Sequence, residues 1–157
     1  MIIAVFDNDV LVDIFDRVYY LDRRKFKEVI NYLSLSYSKI WIPKSVKGEF
    51  LQGKKRKKMY YRLLKRYNNL IKDCPITISK NEINLLLSPE IHLGEADGIS
   101  QIRKAETLPS YKYLKKFELI FVSNDKKAIN FAEKRMNVKV KTYNEIKDSL
   151  REEGIII

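Results

Sequence analysis

Carboxylates carry most of the chemistry that this sequence offers. Asp7 and Asp9 directly follow the apolar run Ile2–Phe6, and Asp125 follows the apolar run Leu119–Val122. In open α/β sheets, ligands bind outside the carboxyl ends of the strands, so we expect these acids to share one crevice. Carboxylates held close together repel one another unless a divalent cation neutralises them. The pattern therefore indicates a site for a hard cation.

Three further acids lie in predicted helices. Glu49 belongs to the helix after the second strand, and Glu95 and Asp97 open the helix after Gly94. Because a helix turns by about 100° per residue, Glu95 and Asp97 do not face the same point, and the spacing leaves open which is the main third acid. Oxygen ligands without histidine or cysteine select Mg²⁺ or Mn²⁺ over zinc.

A structural role explains each acid taken singly. Asp and Asn at strand ends commonly cap the following helix, and surface helices are rich in Glu. Asp9 before Val10 fits capping, and Glu95 in a first helical turn fits the helix dipole. The spacing alone leaves both interpretations open.

Other residue types exclude several classes of protein. A single cysteine, Cys74, and a single histidine, His92, exclude an internal disulfide and metal cages built from several thiolates or imidazoles. No apolar run approaches the roughly 20 residues that span a bilayer. The N-terminal sequence turns acidic too soon for a secretory signal. We therefore expect a cytoplasmic protein with no membrane partner.

The elements that must position the acids alternate along the chain. Short β-branched runs predict strands at Ile2–Phe6, Lys39–Ile42, Ile76–Ile78, Leu119–Val122 and Val138–Val140. Helical spacing predicts helices at Val10–Phe15, Lys25–Leu35, Ser45–Gln52, Met59–Ile71, Asn81–Leu87, Glu95–Glu106, Lys126–Met136 and Tyr143–Arg151. This alternation predicts one α/β domain over residues 1–157, with a mostly parallel central sheet covered by helices on both faces.

Most of the excess of positive over negative charge lies in residues 53–72. The chain has 31 Lys and Arg against 20 Asp and Glu, a net charge of +11. Nine of these cations, and no acid, fall in this segment: Lys54, Lys55, Arg56, Lys57, Lys58, Arg62, Lys65, Arg66 and Lys72. Without them, 22 basic residues face 20 acidic ones. The segment is predicted to bind RNA phosphates, chiefly through Lys54, Lys55, Arg56, Lys57, Lys58 and Arg62; a solvated face or a membrane surface is the alternative.

Tyrosines interleave with these cations. Tyr60, Tyr61 and Tyr67 are available to stack on unpaired bases. Tyr60, Leu63 and Tyr67 also share a helical stripe, which favours packing against the domain.

Four segments, in order, resemble the PIN-domain family of ribonucleases: IIAVFDNDVLVDI, IWIPKSVKGEFL, LGEADGISQ and FVSNDKKAINFAEK. The resemblance is to its prokaryotic branch of VapC-type toxins, in the subgroup with a Gly-Glu-Ala-Glu-like motif. It implies an α/β/α fold and a ribonuclease that holds one or two Mg²⁺ or Mn²⁺ ions.

The resemblance also assigns residues. It places Asp7, Glu49, Asp97 and Asp125 at the positions of the four catalytic acids. It implies metal binding by Asp7, Asp97 and Asp125, with Glu49 or Glu95 orienting water or helping a second ion. Asp9 and Ser123 match positions that orient the site.

The PIN-domain resemblance also implies partners, and two rival functions stay open. RNA, a small antitoxin protein and a second copy of the chain are the implied partners, with the apolar end Ile155–Ile157 as a contact between copies. One rival is a non-catalytic RNA- or protein-binding module on the same scaffold. The other is a phosphatase similar to the haloacid dehalogenases, with Asp7 as nucleophile and Asp9 as acid and base.

Overall fold

A parallel sheet forms the centre of the protein, in a computed structural model that describes residues 1–108 and 117–157. Its five strands lie in the order β3-β2-β1-β4-β5, and every neighbouring pair is parallel. The strands are β1 (Ile2–Phe6), β2 (Lys39–Ile42), β3 (Ile71–Asp73), β4 (Glu118–Ser123) and β5 (Lys139–Thr142). The chain leaves β1 toward β2 and returns on its other side as β4. The acids after β1 and β4 therefore lie where the strand order reverses, which is where open α/β sheets form a crevice.

Helices connect the strands. They are α1 (Asn8–Val12), α2 (Tyr19–Leu21), α3 (Arg23–Ser36), α4 (Lys44–Phe50), α5 (Lys54–Arg66), α6 (Lys80–Asn84), α7 (Leu93–Thr107), α8 (Lys126–Lys134) and α9 (Tyr143–Glu152). A π-helical segment, Asp13–Val18, joins α1 to α2. In the described part of the chain, no helix is both long and apolar enough to cross a membrane.

The two faces of the sheet carry separate cores. Ala4 and Phe6 of β1 face a cluster with residues of α1, α3, α5 and α9, whereas Ile3 and Val5 face a cluster with residues of α7 and α8. Successive side chains of a strand point to opposite faces, so a strand buried on both sides must be apolar throughout. The predicted α/β class, with a parallel sheet between helical layers, is confirmed.

One predicted strand is wrong. The edge strand is β3 (Ile71–Asp73) rather than Ile76–Ile78, and the predicted helix Met59–Ile71 ends at Arg66. The Cys74 N–H makes a last bond to the Ile42 carbonyl at 3.0 Å, and Pro75, which has no N–H, follows. Ile76 is buried by its side chain, 8% exposed, which explains its apolar character without a strand.

Helix α5 begins five residues before its predicted start at Met59. The residues from Lys54 to Lys58 are all cationic, so no apolar stripe marks them as helical. Elsewhere the predicted strands and helices overlap the observed ones, with β1 and β2 matching at both ends.

Candidate functional site: an acid cleft at the carboxyl edge of the sheet

A cavity of about 180 Å³ opens at the carboxyl ends of β1 and β4. We call it the acid cleft; its lining residues are Asp7, Asn8, Asp9, Glu49, His92, Gly94, Glu95 and Asp125. The carboxylates among them come from four separated chain segments. The tertiary fold therefore brings together five of the six acids singled out in the sequence.

Asp7 is held rigidly at the end of β1. Its side chain is almost fully buried, 6% exposed. Oδ1 accepts a hydrogen bond from the Asn8 N–H at 2.7 Å, and Oδ2 accepts one from the Ser123 hydroxyl at 2.8 Å. Ser123 in turn accepts the Asp125 N–H at 3.0 Å. Ser123 thus ties the acids that follow β1 and β4 into one unit.

Asp9 and Asp125 each satisfy backbone donors at a helix start. The Asp9 carboxylate accepts the Val10 N–H at 2.8 Å and the Asn124 N–H at 2.9 Å. Oδ1 of Asp125 accepts the N–H groups of Lys127 at 2.9 Å and Ala128 at 3.1 Å, which caps α8. The predicted capping role is therefore confirmed for Asp125, whereas the N-cap of α1 is Asp7 rather than Asp9. Capping occupies Oδ1 of Asp125 and leaves Oδ2 without a capping bond.

Glu95 enters the acid cleft from the first turn of α7. It is 4% exposed, and Oε1 accepts the His92 N–H at 3.0 Å. Oε2 is buried and has no hydrogen-bond donor. A buried oxygen without a partner costs about 1–3 kcal/mol, more when it is charged. This atom is the least satisfied carboxylate oxygen of the acid cleft.

Gly94 marks how closely the segments approach. A Cβ placed on Gly94 would lie 3.2 Å from Val46 Cγ2, 3.4 Å from Glu49 Oε1 and 3.8 Å from Asp7 Oδ1. Two carboxylate oxygens from different segments thus lie close to the position that a side chain on residue 94 would occupy. Only glycine leaves that space free.

The buried acids of the cleft hold their protons more tightly than usual. Burial, followed by repulsion from Asp9, raises the pKa of Asp7 to about 6, against the lowering effect of the Ser123 hydrogen bond. Burial raises the pKa of Glu95 to about 7, with further contributions from the charges of Asp7 and Asp125. Simultaneous ionisation of all the carboxyl groups in the acid cleft is therefore unfavourable.

Asp97 lies outside the acid cleft, although the resemblance makes it the third catalytic acid. It is 2% exposed, and Oδ2 accepts the Ser45 N–H at 2.9 Å while Oδ1 accepts the Gln101 side-chain N–H at 2.8 Å. Both oxygens are thus satisfied within the protein. The carboxylate holds the start of α4, the helix that carries Glu49, against α7. Of the two acids that open α7, the fold turns Glu95 toward the cleft.

The donors of the acid cleft fit a hard divalent cation in type. All are oxygens, and the unpartnered Oε2 of Glu95 lies among acids whose repulsion a cation would relieve. Within residues 1–108 and 117–157, no three Asp, Glu, His or Cys side chains are grouped so that they could hold a metal ion as they stand.

Three lining residues were not singled out in the sequence. Asn8 contributes a second buried oxygen without a donor, Oδ1, beside Asp7. His92 precedes α7 and lies at the exposed rim, and Gly94 supplies space. The signal for Asn8 was its place between two acids. Nothing local distinguishes His92 from a solvent-exposed histidine.

The cations of the basic segment have unequal surroundings. Arg56 forms an ion pair with Asp16 at 2.8 Å, and the Lys55 ammonium lies 3.9 Å from the centre of the Tyr20 ring. Lys54, Lys57, Lys58 and Arg62 project into solvent. Five of the six predicted RNA-binding cations therefore form no ion pair within the described residues, whereas Arg56 anchors α5 to the π-helical segment.

The three tyrosines of the basic segment also differ in how far they are buried. Tyr60 is 3% exposed and donates its hydroxyl to Asp73 at 2.7 Å, so packing against the domain is confirmed for it. Tyr67 is half-buried at the end of α5. Tyr61 is 47% exposed and is the one of the three whose ring is open to a ligand.

Comparison of the chain with models of known protein families, with curated protein sequences and with solved structures finds no significant match. The similarity to PIN-domain ribonucleases therefore stays a prediction from four short motifs. The same holds for an antitoxin partner and for a second copy of the chain.

Proposed function

We propose that this protein is a metal-dependent endoribonuclease that hydrolyses RNA phosphodiesters at the acid cleft. The observation that carries the proposal is the meeting of Asp7, Glu49, Glu95 and Asp125 in one cavity, with a buried carboxylate oxygen that no protein donor satisfies. In a purely structural cluster of acids, a protein donor to that oxygen would increase stability. Asp97 shows this arrangement, because each of its oxygens accepts a hydrogen bond from the protein.

A cation explains the electrostatics of the acid cleft. Divalent cations neutralise carboxylates that otherwise repel, and Mg²⁺ and Mn²⁺ prefer oxygen ligands. When bound, such an ion supplies a nucleophile from water at neutral pH and stabilises charge on a phosphodiester. Asp7, Asp125 and Glu95 are the residues proposed to hold it. Asp7 is the best fixed of these because Ser123 and the Asn8 N–H set its orientation.

The remaining acids have supporting roles in this proposal. Glu49 is exposed at the rim, so its carboxylate can orient water without losing solvation. Asp9 acts on Asp7 through charge, since it raises the pKa of Asp7. Asp97 is a positioning residue because its contact with Ser45 fixes the start of the helix that carries Glu49.

The choice of substrate rests on charge and on the resemblance. A net charge of +11, with most of the excess on α5, favours a polyanion, and three residues separate the end of α4 from the start of α5. A nucleic acid is the polyanion on which a carboxylate-bound cation can act as a nuclease. RNA rather than DNA follows from the similarity to PIN-domain enzymes.

The test combines metal titration with cleavage. Mn²⁺ is titrated calorimetrically into the wild-type protein and into Asp7→Asn, and both are incubated with labelled single-stranded RNA. We expect Asp7→Asn to lose metal binding and to cleave at least about 10³-fold more slowly, because a charged ligand worth several kcal/mol is removed. Asp148→Asn, on the exposed surface of α9, is the matched control and should behave as wild type.

Each other outcome selects a different function. Full cleavage by Asp7→Asn, or no Mn²⁺ binding by folded wild-type protein, would overturn the nuclease. RNA binding without cleavage would favour the non-catalytic module, in which Asp7 and Asp125 serve only as helix caps. Hydrolysis of a chromogenic phosphomonoester would favour the phosphatase.

A further inference from the structure

A second cationic surface lies between α3 and α5. The two helices border a small cavity of about 60 Å³, lined by Arg23 and Lys27 of α3 and by Arg62 and Arg66 of α5. We call it the basic groove. Arg23 and Lys27 lie more than 25 residues before the basic segment, so only the tertiary fold joins them to it.

The charges of the basic groove are not compensated. All four side chains are exposed, none forms an ion pair within the described residues, and no carboxylate lines the groove. The nearby acids are engaged elsewhere. Asp22 caps α3 by accepting the N–H groups of Arg24 and Lys25, and Asp16 pairs with Arg56. Four cations held together without counter-charges favour an anionic ligand.

Aromatic rings hold one of the guanidinium groups in place. Arg23 stacks on the ring of Tyr19, 3.7 Å from its centre, and Tyr19 packs edge-to-face on Phe26 at 5.0 Å. Tyr19 and Phe26 are both buried, 5% and 3% exposed. A guanidinium fixed in this way loses less side-chain entropy when it binds, and its planar donors match phosphate oxygens.

The cations continue from the basic groove along α5 to the start of that helix. Lys55 lies over the Tyr20 ring, and the Tyr20 hydroxyl donates to the Lys55 carbonyl at 3.5 Å, so α2 and the start of α5 are in contact. Lys55 and Arg66 are eleven residues apart on one helix, which is about 16 Å. The start of α5 follows closely on the helix that carries Glu49. One extended polyanion can therefore contact both surfaces.

We propose that the basic groove binds the phosphate backbone of single-stranded RNA that extends from the acid cleft. This inference rests on the proposed function for the choice of RNA over other polyanions. It adds a binding surface on α3, with Arg23 and Lys27 as contacts that the sequence did not indicate, and places Arg66 opposite them. A flexible single strand fits because its phosphates can follow a groove between two helices.

The test measures RNA binding without any cleavage. A labelled oligouridine of about 12 nucleotides, a typical single-strand site size, is titrated in EDTA, with anisotropy recorded over a range of KCl concentrations. The test variant is Lys27→Gln/Arg66→Gln, which removes one cation from each wall and spares the Arg23–Tyr19 stack. The matched control is Lys134→Gln/Arg135→Gln, which removes the same charges at the end of α8, on the opposite face of the sheet.

We expect the test variant to bind about tenfold more weakly at about 0.1 M salt, and its plot of log K against log salt to flatten by about 1.4. The control should lose little of either. Equal losses in the two variants, unchanged binding in the test variant, or no RNA binding by the wild type would overturn the proposal. Capture of a polyglutamate peptide that Lys27→Gln/Arg66→Gln abolishes, with RNA binding intact, would assign the groove to an acidic protein instead.

These results are independent of the acid cleft. A protein that fails to bind Mn²⁺ or to cleave RNA, yet loses RNA affinity in Lys27→Gln/Arg66→Gln alone, would retain the basic groove and lose the nuclease. If the protein cleaves RNA and Lys27→Gln/Arg66→Gln binds RNA as the wild type does, the nuclease would be retained and the basic groove lost.

Discussion

The acid cleft and the site of Asp97 are two buried carboxylate environments on either side of the first turn of α7. Glu95 and Asp97 are similarly buried, 4% and 2% exposed. Glu95 lies among other acids, keeps an unpartnered oxygen and has a pKa raised to about 7. Asp97 has a donor on each oxygen. Burial alone therefore does not identify a functional acid; the number of donors facing each oxygen separates the two environments.

The largest expected effect comes from removing the satisfied carboxylate. Asp97→Ala leaves the Ser45 N–H and a Gln101 N–H buried without an acceptor, so we expect the free energy of unfolding to fall by about 2–4 kcal/mol. Asp97→Asn should cost less than about 1 kcal/mol, because its carbonyl can accept from Ser45 and, once the Gln101 amide turns over, its amide can donate to the Gln101 oxygen. Urea denaturation measures both. Loss of Mn²⁺ binding in a well-folded Asp97→Asn protein would break the comparison and place Asp97 in the metal site, as the PIN resemblance has it.

Removing the unsatisfied carboxylate should have the opposite sign. Because the pKa values of Asp7 and Glu95 are raised, ionisation of these two carboxyl groups opposes folding. The stability that their protonated forms contribute is fully present below about pH 4 and is lost as the pH rises through about 6 to 7. We expect Glu95→Gln, in EDTA at about pH 8, to be about 1–2 kcal/mol more stable than wild type, since its amide can donate to Asp125.

Thermal or urea unfolding across this pH range provides the measurement. The gain should shrink toward about pH 4, where Glu95 is protonated in the wild type. Glu152→Gln, an exposed change on α9, should show no such dependence. A destabilised Glu95→Gln at high pH would mean that the carboxylate is as well satisfied as that of Asp97.

The smallest effect on stability is expected from filling the space that Gly94 leaves between the carboxylates. In Gly94→Ala, the new methyl group would lie 3.4 Å from Glu49 Oε1 and 3.2 Å from Val46. Better helix propensity offsets this crowding, so stability should change by less than about 1 kcal/mol. Mn²⁺ binding, measured by calorimetry, should weaken several-fold because Glu49 is displaced. Gly48→Ala, with nothing within 4 Å, is the control and should keep full affinity.

The local sequence pattern was sufficient to predict secondary structure wherever the surroundings of a side chain are set by its neighbours in the sequence. The apolar runs of β1 and β2 predicted both strands at their observed bounds, since a strand buried on two faces must be apolar throughout. It failed at Ile76–Ile78, where only Ile76 is buried, by side-chain packing outside any strand. It also missed the start of α5, where five consecutive cations hide the helical stripe.

The sequence alone determined the α/β class, through the alternating order of its predicted strands and helices. The acids at the strand ends also indicated that carboxylates would gather at one edge of the sheet. The tertiary structure decided which acids meet. Glu95 and Asp97 differ by two residues, and only the packing of α7 against α4 and β4 turns the first into the acid cleft and gives the second its donors. It likewise joined Arg23 and Lys27 to α5. The physical reason is that donors, like-charged neighbours and buried space come from segments far apart in the chain, and no local pattern encodes their meeting.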